Sequence, residues 1–225
     1  MKNILLIWDI DGTLINSRGC GRRAMEKAFH YLYGIENGFA DVNMAGRLDA
    51  LIVKDAMINH SIDVENLNDF FEVYCKMLEY ERQSGDFTEL LPGIKTILSR
   101  QHPGIQFTHA LGTGNIEPGA RIKLEPHDIN CFFPIGGFGD EAMERWEIIQ
   151  KAIEKTELMY GHSFDKKDTY VIGDTPFDIG CGKKLQVKSI AIGTGPYSVE
   201  TLKSYAPDYV FENLENVEKF FEIFR

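Results

Sequence analysis

Short apolar runs alternate with helical stripes over most of the chain. Branched and aromatic runs that end in Gly or Asp are typical of buried strands. Such runs predict strands at Ile4–Trp8, Ile105–Gly112, around Phe132–Ile135, and at Thr169–Asp174, Val187–Gly193 and Asp208–Phe211. The intervening segments carry apolar residues at helical spacing. This alternation predicts a parallel sheet with helices on both faces.

One long segment departs from the alternation. Between Ser17 and Ser84 no run resembles the first strand, and apolar residues recur there with helical period, as in Leu67, Phe70, Tyr74 and Leu78. The predicted fold is therefore α/β, a doubly wound parallel sheet with an inserted α-helical cap. We expect a catalytic core of residues 1–16 and 85–225 and a cap of residues 17–84.

The composition limits which cellular compartment and which binding partners we expect. The 225 residues carry a net charge of −10, which argues against nucleic acid or an anionic membrane as partner. No run of apolar residues is long enough to span a bilayer. The four cysteines are widely spaced and form no C-x-x-C pair, which favours reduced thiols in a cytoplasmic protein. Nothing in the sequence indicates the oligomeric state.

Polar groups follow three of the predicted strands. They are Asp9 and Asp11, Thr113 with Gly114 and Asn115, and Asp174 with Asp178. Because ligands bind at the carboxyl ends of parallel strands, we expect these groups to meet at one edge of the sheet. Four carboxylates in one place repel each other, and a divalent cation relieves the repulsion. All-oxygen ligands suit Mg²⁺, so a magnesium site is predicted from the four acids.

The middle group has a different chemistry. Thr113 and the amides of Gly114 and Asn115 precede a predicted helix, and a helix N-terminus is a ready anion site. Glycine there lets the backbone approach a phosphate closely. These residues are therefore predicted to bind the anionic end of a substrate.

Together these motifs resemble the haloacid dehalogenase superfamily. Its first motif is an apolar strand that ends in D-x-D-G-T, as in Asp9-Ile10-Asp11-Gly12-Thr13, and a helical cap follows this motif. The segments "AGRLDALI" (45–52) and "GDTPFDI" (173–179) resemble the branch of phosphoglycolate phosphatase and β-phosphoglucomutase-like proteins. The resemblance covers the chain from end to end.

The resemblance implies a role for each residue. Asp9 maps to the nucleophile, Asp11 to the general acid/base, Thr113 to the hydroxyl that binds the transferring phosphoryl group, and Asp174 and Asp178 to the magnesium-holding acids. Asp9 and the backbone carbonyl of Asp11 would complete the metal site. Dehalogenases of this superfamily lack the second aspartate and need no magnesium, so Asp11 favours phosphate chemistry.

The superfamily's cationic residue is less clear, because the usual Lys-Pro is absent. We predict Arg145, near the start of the helix in "EAMERWEII", since helix N-termini that follow strand ends face the site. Arginine also binds phosphate in a bidentate manner. The alternative for this role is Lys123, which lies farther along its helix, and the alternative role for Arg145 is a surface ion pair.

The cap supplies one further candidate. Arg47 is predicted to contact a distal acidic or polar group of the substrate, and the alternative is an ion pair with Asp49.

The function predicted is that of a phosphoric monoester hydrolase. We expect a magnesium-dependent phosphatase that acts on a small phosphorylated metabolite through an aspartyl-phosphate on Asp9. Two alternatives remain open. One is a phosphomutase of the β-phosphoglucomutase type, and the other is a catalytically weak phosphate-binding module.

Overall fold

The structure is a computed structural model that describes residues 1–64, 67–83, 85 and 87–224. Its strands are β1 (Lys2–Trp8), β2 (Ile15–Asn16), β3 (Glu89–Leu90), β4 (Ile105–Gly112), β5 (Gly136–Gly137), β6 (Thr169–Gly173), β7 (Lys188–Ile192) and β8 (Tyr209–Phe211). Six of these strands pair in parallel in the order β5-β4-β1-β6-β7-β8. The predicted α/β fold with a parallel sheet is confirmed.

Nine α-helices lie in the described part of the chain, some of them packed on the sheet and some in the inserted segment. They are α1 (Cys20–Tyr33), α2 (Asp49–Asn59), α3 (Leu67–Gln83), α4 (Ile94–Ser99), α5 (Glu117–Leu124), α6 (Arg145–Tyr160), α7 (Pro176–Leu185), α8 (Val199–Ser204) and α9 (Val217–Phe221). None of the helices in the described part of the chain is both long enough and apolar enough to cross a membrane.

The buried strand β1 lies in the middle of the sheet, between β4 and β6. Its side chains alternate between two cores: Ile4, Leu6 and Trp8 pack on the face covered by α4, α5 and α9, whereas Leu5 and Ile7 pack against α6 and α7. This arrangement explains why the strand is apolar without a break. It also fixes the position of the aspartates that follow it, because neither face can slip without exposing a core.

One predicted strand is misplaced. The apolar residues around 132–135 do not form it; Asn130–Phe132 is a short 3₁₀ helix, and β5 is the pair Gly136–Gly137. Close packing is the reason, since a Cβ at Gly137 would lie 2.0 Å from the carbonyl oxygen of Ile148 in α6. Glycine carries no apolar signal, so the pattern pointed to the wrong residues.

Helices α1, α2 and α3 lie between β1 and β4 in the chain and form a separate apolar core around Phe29, Phe39 and Phe70. The chain leaves the sheet region through β2 and returns through β3, and these two strands pair antiparallel. The two connections between the core and the inserted helices therefore lie side by side. Ser84, the last residue of the predicted cap, lies outside the described residues.

Candidate active site

The end of β1 places two carboxylates at one edge of the sheet. The Asp9 amide continues the ladder by donating to the Ile172 carbonyl of β6 at 2.9 Å. Gly12, with φ +82°, then turns the chain back, and its amide donates to the Ile15 carbonyl. A positive φ is available to glycine at little cost. The turn directs Asp9 and Asp11 to the edge where β6 also ends.

Asp9 meets the two later acids of the sequence motif there. One carboxylate oxygen each from Asp9, Asp174 and Asp178 lies within 4.8 Å of the others, and all three residues are buried. Burial raises the pKa of Asp9 to about 6, although the Arg145 guanidinium opposes the shift. Burial and the charges of Asp9 and Asp178 raise the pKa of Asp174 well above its ordinary value. The cluster carries more negative charge than its surroundings compensate.

Arg145 is the cation that touches this cluster. Its Nη2 lies 3.0 Å from Asp9 Oδ1 and 2.8 Å from Asp178 Oδ1, and its side chain is 8% exposed. The surface ion pair considered from the sequence is therefore wrong. Arg145 is the first residue of α6, and Glu144 and Glu147 cap that helix reciprocally. This capping box fixes where α6 begins and hence where the Arg145 guanidinium lies.

Asp178 is held more firmly than the other two acids. Its Oδ2 accepts from the amide and hydroxyl of Thr175, at 3.2 and 2.7 Å, while Oδ1 accepts from Arg145. Thr175 and Asp178 form a capping box at the start of α7. Asp178 thus orders both the helix and the arginine. Its remaining lone pairs are what it can offer to a metal ion.

The loop before α5 faces the acidic cluster. Thr113 and Asn115 are buried there, and the Thr113 amide continues the sheet by donating to the Gly137 carbonyl. A Cβ at Gly114 would lie 2.1 Å from the backbone oxygen of Arg47 in the cap. Only glycine fits between the two segments. The predicted anion loop is therefore also a point where the cap contacts the core.

Asp11 lies in a second polar network, apart from the acidic cluster. Lys123 Nζ of α5 is 2.9 Å from each Asp11 oxygen and 2.6 Å from Asn115 Oδ1. Burial alone would raise the pKa of Asp11, but the Lys123 charge and hydrogen bonds from Asn115 and Lys123 outweigh it and lower that pKa. Lys123, which the sequence made the less favoured candidate because it lies farther along its helix, does reach the site. It contacts Asp11, whereas Arg145 contacts Asp9 and Asp178.

A cavity of about 420 Å³ lies between these groups and the cap. Arg47 lines it, but its guanidinium binds Asp55 Oδ2 at 2.7 Å and the Asn43 carbonyl at 3.2 Å. The ion pair with Asp49 considered from the sequence is not present among the described contacts. Asp55 takes that place because it lies on the exposed side of α2.

Asp49 itself is a buried link between cap and core. Its amide donates to the Gly114 carbonyl at 2.8 Å, and its Oδ2 accepts from the Ile116 amide at 3.1 Å. Burial raises its pKa to about 7, against the opposing effect of the Lys123 charge. The sequence pattern predicted for Asp49 only an ion pair with Arg47, as an alternative role of that arginine. The sequence signal available for the role of Asp49 as a link between cap and core was its position directly after "GRL" at the start of a helix.

Two other groups at the cavity were not predicted. Tyr74 of α3 has a buried hydroxyl with no hydrogen-bond partner among the described residues. After β7, Thr194 donates to the Gly12 carbonyl at 2.6 Å, and Gly195 lies so close to Asp174 that a Cβ would overlap its carboxylate. This loop walls the acidic cluster. In the sequence it has the pattern of an ordinary strand-to-helix connection.

Fold and site together define an α/β protein in which a buried acidic cluster and the Thr113–Asn115 loop lie at the same sheet edge. The sequence matches the family described as haloacid dehalogenase-like hydrolase over residues 6–192. The chain belongs to this family, and the prediction that it is a hydrolase is confirmed. A comparison with curated proteins finds no match.

Solved structures share the fold at low sequence identity. One described as a predicted phosphatase from Clostridium acetobutylicum has a TM-score of 0.73 and 19% identity, covering 99% of this chain and 100% of its own. A hydrolase from Pseudomonas syringae has a TM-score of 0.68 and 17% identity, with 97% and 98% covered. A predicted phosphoglycolate phosphatase from Haemophilus somnus has a TM-score of 0.65 and 16% identity, with 98% of each chain covered.

The first testable prediction concerns Asp49. Because its pKa is raised in the folded protein, the folded state keeps the proton above pH 4 while the unfolded chain releases it. The contribution of Asp49 to the free energy of unfolding therefore falls as pH rises from about 4 to 7 and is constant above that range. Asp49→Asn removes the ionisation, and the amide oxygen still accepts from Ile116.

We expect Asp49→Asn to gain stability over the parent protein as pH rises. The gain at pH 8 should exceed the gain at pH 5 by about 2–3 kcal/mol. Urea unfolding at both pH values measures it, with Asp41→Asn, at an exposed position of the cap segment, as the matched control. A stability difference that is the same at both pH values would mean that Asp49 is already ionised in the folded protein at pH 5.

Proposed function

We propose that the protein is a magnesium-dependent phosphatase that acts on a small phosphorylated metabolite through an aspartyl-phosphate on Asp9. One observation carries the proposal: Asp9 and Asp174 of the buried acidic cluster line the same cavity as the loop Thr113–Asn115. An acidic site beside an anion site has little use without a cation between them. Membership of a hydrolase family supports the same reading.

The residues present fit a magnesium ion. Asp9, Asp174 and Asp178 offer only oxygen ligands, and the one guanidinium beside them leaves Asp174 without a direct ion pair among the described contacts. Hard oxygen donors with excess negative charge are the ligands that Mg²⁺ prefers. Asp9, Asp174 and Asp178 would hold it, with the Asp11 backbone carbonyl as a further donor. The ion would supply charge neutralisation at the phosphoryl oxygens.

Asp9 is proposed to attack phosphorus. Its carboxylate must be ionised for this, and Arg145 at 3.0 Å favours the ionised form against the effect of burial. The same guanidinium neutralises charge where the phosphoryl group arrives. Arg145 is thus proposed for the cationic role. Thr113 and the loop amides would bind the oxygens of the transferring group.

Asp11 is proposed to move the proton. In the first step it protonates the leaving oxygen, and in the second it takes a proton from the water that attacks the aspartyl-phosphate. The Lys123 pair favours the carboxylate form that the second step needs. A phosphate dianion that enters beside Asp11 raises the affinity of Asp11 for a proton, which the first step needs.

The environment proposed for the enzyme follows from its composition. All four cysteines are free thiols. This supports the cytoplasmic location predicted from the sequence. The charge of −10 supports a small-molecule substrate over a nucleic acid or an anionic membrane.

Two aspartate variants test the proposal. Asp9→Asn should lose phosphatase activity by at least about a thousandfold, because the amide cannot attack phosphorus. It should keep most of the thermal stabilisation by Mg²⁺, since the other acids remain. Asp174→Asn should lose both properties, because Asp174 is the acid of the cluster that has no ion pair among the described contacts and so has the most charge to offer the metal. Phosphate release from p-nitrophenyl phosphate and melting with Mg²⁺ or with chelator measure them.

The exposed Asp165→Asn is the matched control and should change neither property. Full activity of the parent in excess chelator would contradict the metal assignment. Activity of Asp9→Asn within tenfold of the parent would remove Asp9 as nucleophile. Transfer of the phosphoryl group to a sugar hydroxyl in place of water would identify a phosphomutase.

Arg47 provides a test of substrate recognition. We propose that Arg47, a cap residue that lines the cavity, binds the non-reacting end of the substrate. Arg47→Ala should then lower kcat/KM for the best metabolite by about tenfold or more, as expected for a hydrogen bond to a charged group. For a small aryl phosphate without a distal group it should change little.

The control for this test is Asp55→Ala, which breaks the same ion pair but keeps the arginine. It should preserve selectivity for the metabolite. If Arg47→Ala lowers kcat/KM equally on both substrates, the arginine supports only the fold of the cap.

A further inference from the structure

A buried lysine, Lys123, lies on the core helix that follows the Thr113–Asn115 loop. The Lys123 side chain is 5% exposed, although lysine is almost never buried without a specific partner. Its position depends on the cap, because a Cβ at Gly21 of α1 would lie 3.1 Å from Nζ. The glycine therefore leaves room for the ammonium group, and α1 shields that group from solvent.

The hydrogen bonds described for this ammonium group all go to the Asp11 carboxylate and to Asn115. Nζ lies 2.9 Å from both oxygens of Asp11 and 2.6 Å from Asn115 Oδ1. Asn115 Nδ2 in turn donates to Asp11 Oδ2 at 2.7 Å and to Thr113 Oγ1 at 2.8 Å. Both oxygens of Asp11 are thus held by hydrogen bonds from α5 and from the loop that precedes it. The charge is committed to Asp11, whereas Arg145 holds Asp9.

We infer that Lys123 is a positioning residue that acts through Asp11. It fixes the orientation of the Asp11 carboxyl group for proton transfer and does not itself bind the transferred phosphoryl group. This inference rests on the proposed role of Asp11 as general acid/base. Proton transfer requires the carboxyl oxygen within hydrogen-bond reach of the reacting oxygen, so a carboxyl group that can rotate transfers protons less effectively.

The proton balance of the proposed reaction shows where this matters. In the first step an Asp9 oxygen forms a bond to phosphorus, the bond to the leaving oxygen breaks, and the Asp11 proton goes to that oxygen. In the second step water bonds to phosphorus, the Asp9–phosphorus bond breaks, and the water proton goes to Asp11. A leaving group that is stable as an anion does not need the first proton.

Leaving groups of different basicity therefore test the inference. Lys123→Met should lower kcat/KM for phenyl phosphate by at least about tenfold more than for dinitrophenyl phosphate, since only phenolate needs the proton. Arg121→Met, on the same helix and facing Glu117 and the Phe133 carbonyl, is the matched control and should change neither value. Melting temperatures report on folding in each case.

Asp11→Asn supplies the reference. It should show the same dependence on the leaving group, and adding Lys123→Met to it should lower the phenyl phosphate rate by no more than about twofold, because the two residues act as one unit. If Lys123→Met does not fold, Lys123→Gln is measured in the same way, since its polar neutral side chain also removes the charge from Asp11.

The outcomes separate the inference from the proposed function. If Lys123 variants lose equally on both substrates, Lys123 supports the fold or binds phosphate, and the inference is overturned while the role of Asp11 stands. If Asp11→Asn itself shows no dependence on the leaving group, Asp11 is not the general acid, and the inference falls with that assignment. A leaving-group dependence shared by both residues and absent from Arg121→Met supports it.

Discussion

The structure depends on one electrostatic constraint: among the described residues, three buried carboxylates share a sheet edge with a single guanidinium. Asp9, Asp174 and Asp178 lie within 4.8 Å of one another, and Arg145 contacts two of them. Buried charges are costly unless they are paired. The surrounding chain is organised to keep them together all the same. A capping box orders Asp178, and Gly195 packs directly against Asp174.

The second constraint is the close contact between cap and core. Gly114 lies beneath the backbone of Arg47, and Asp49 hydrogen-bonds on both sides of the same loop. The loop that would bind the phosphoryl group is therefore held in part by the cap. Any movement of the cap that breaks these hydrogen bonds would also release the loop. In the proposed mechanism, this contact would couple substrate recognition by the cap to the order of the reacting groups.

The strand ends and the short motifs that follow them are the part of the site that the sequence encodes most directly. The run into Asp9, the Thr113 loop and the Asp174–Asp178 pair follow strands whose order in a parallel sheet is restricted, so their convergence was predictable. The partners of Asp11 were not predicted. Lys123 and Asn115 meet Asp11 from more than a hundred residues away in the chain, and that contact depends on side-chain reach. The position of β5 was predicted wrongly for the opposite reason, because its two glycines carry no side-chain signal.

The central claim is that Asp9 becomes phosphorylated. Rapid acid quenching of the enzyme during turnover of a radiolabelled phosphate ester, followed by peptide mapping, tests it most directly. We expect label on the peptide that contains Asp9, stable in acid and released by hydroxylamine, as an acyl phosphate requires. Asp9→Asn should carry none. Product formation at full rate without labelled protein at any quench time, or label on another residue, would contradict the account.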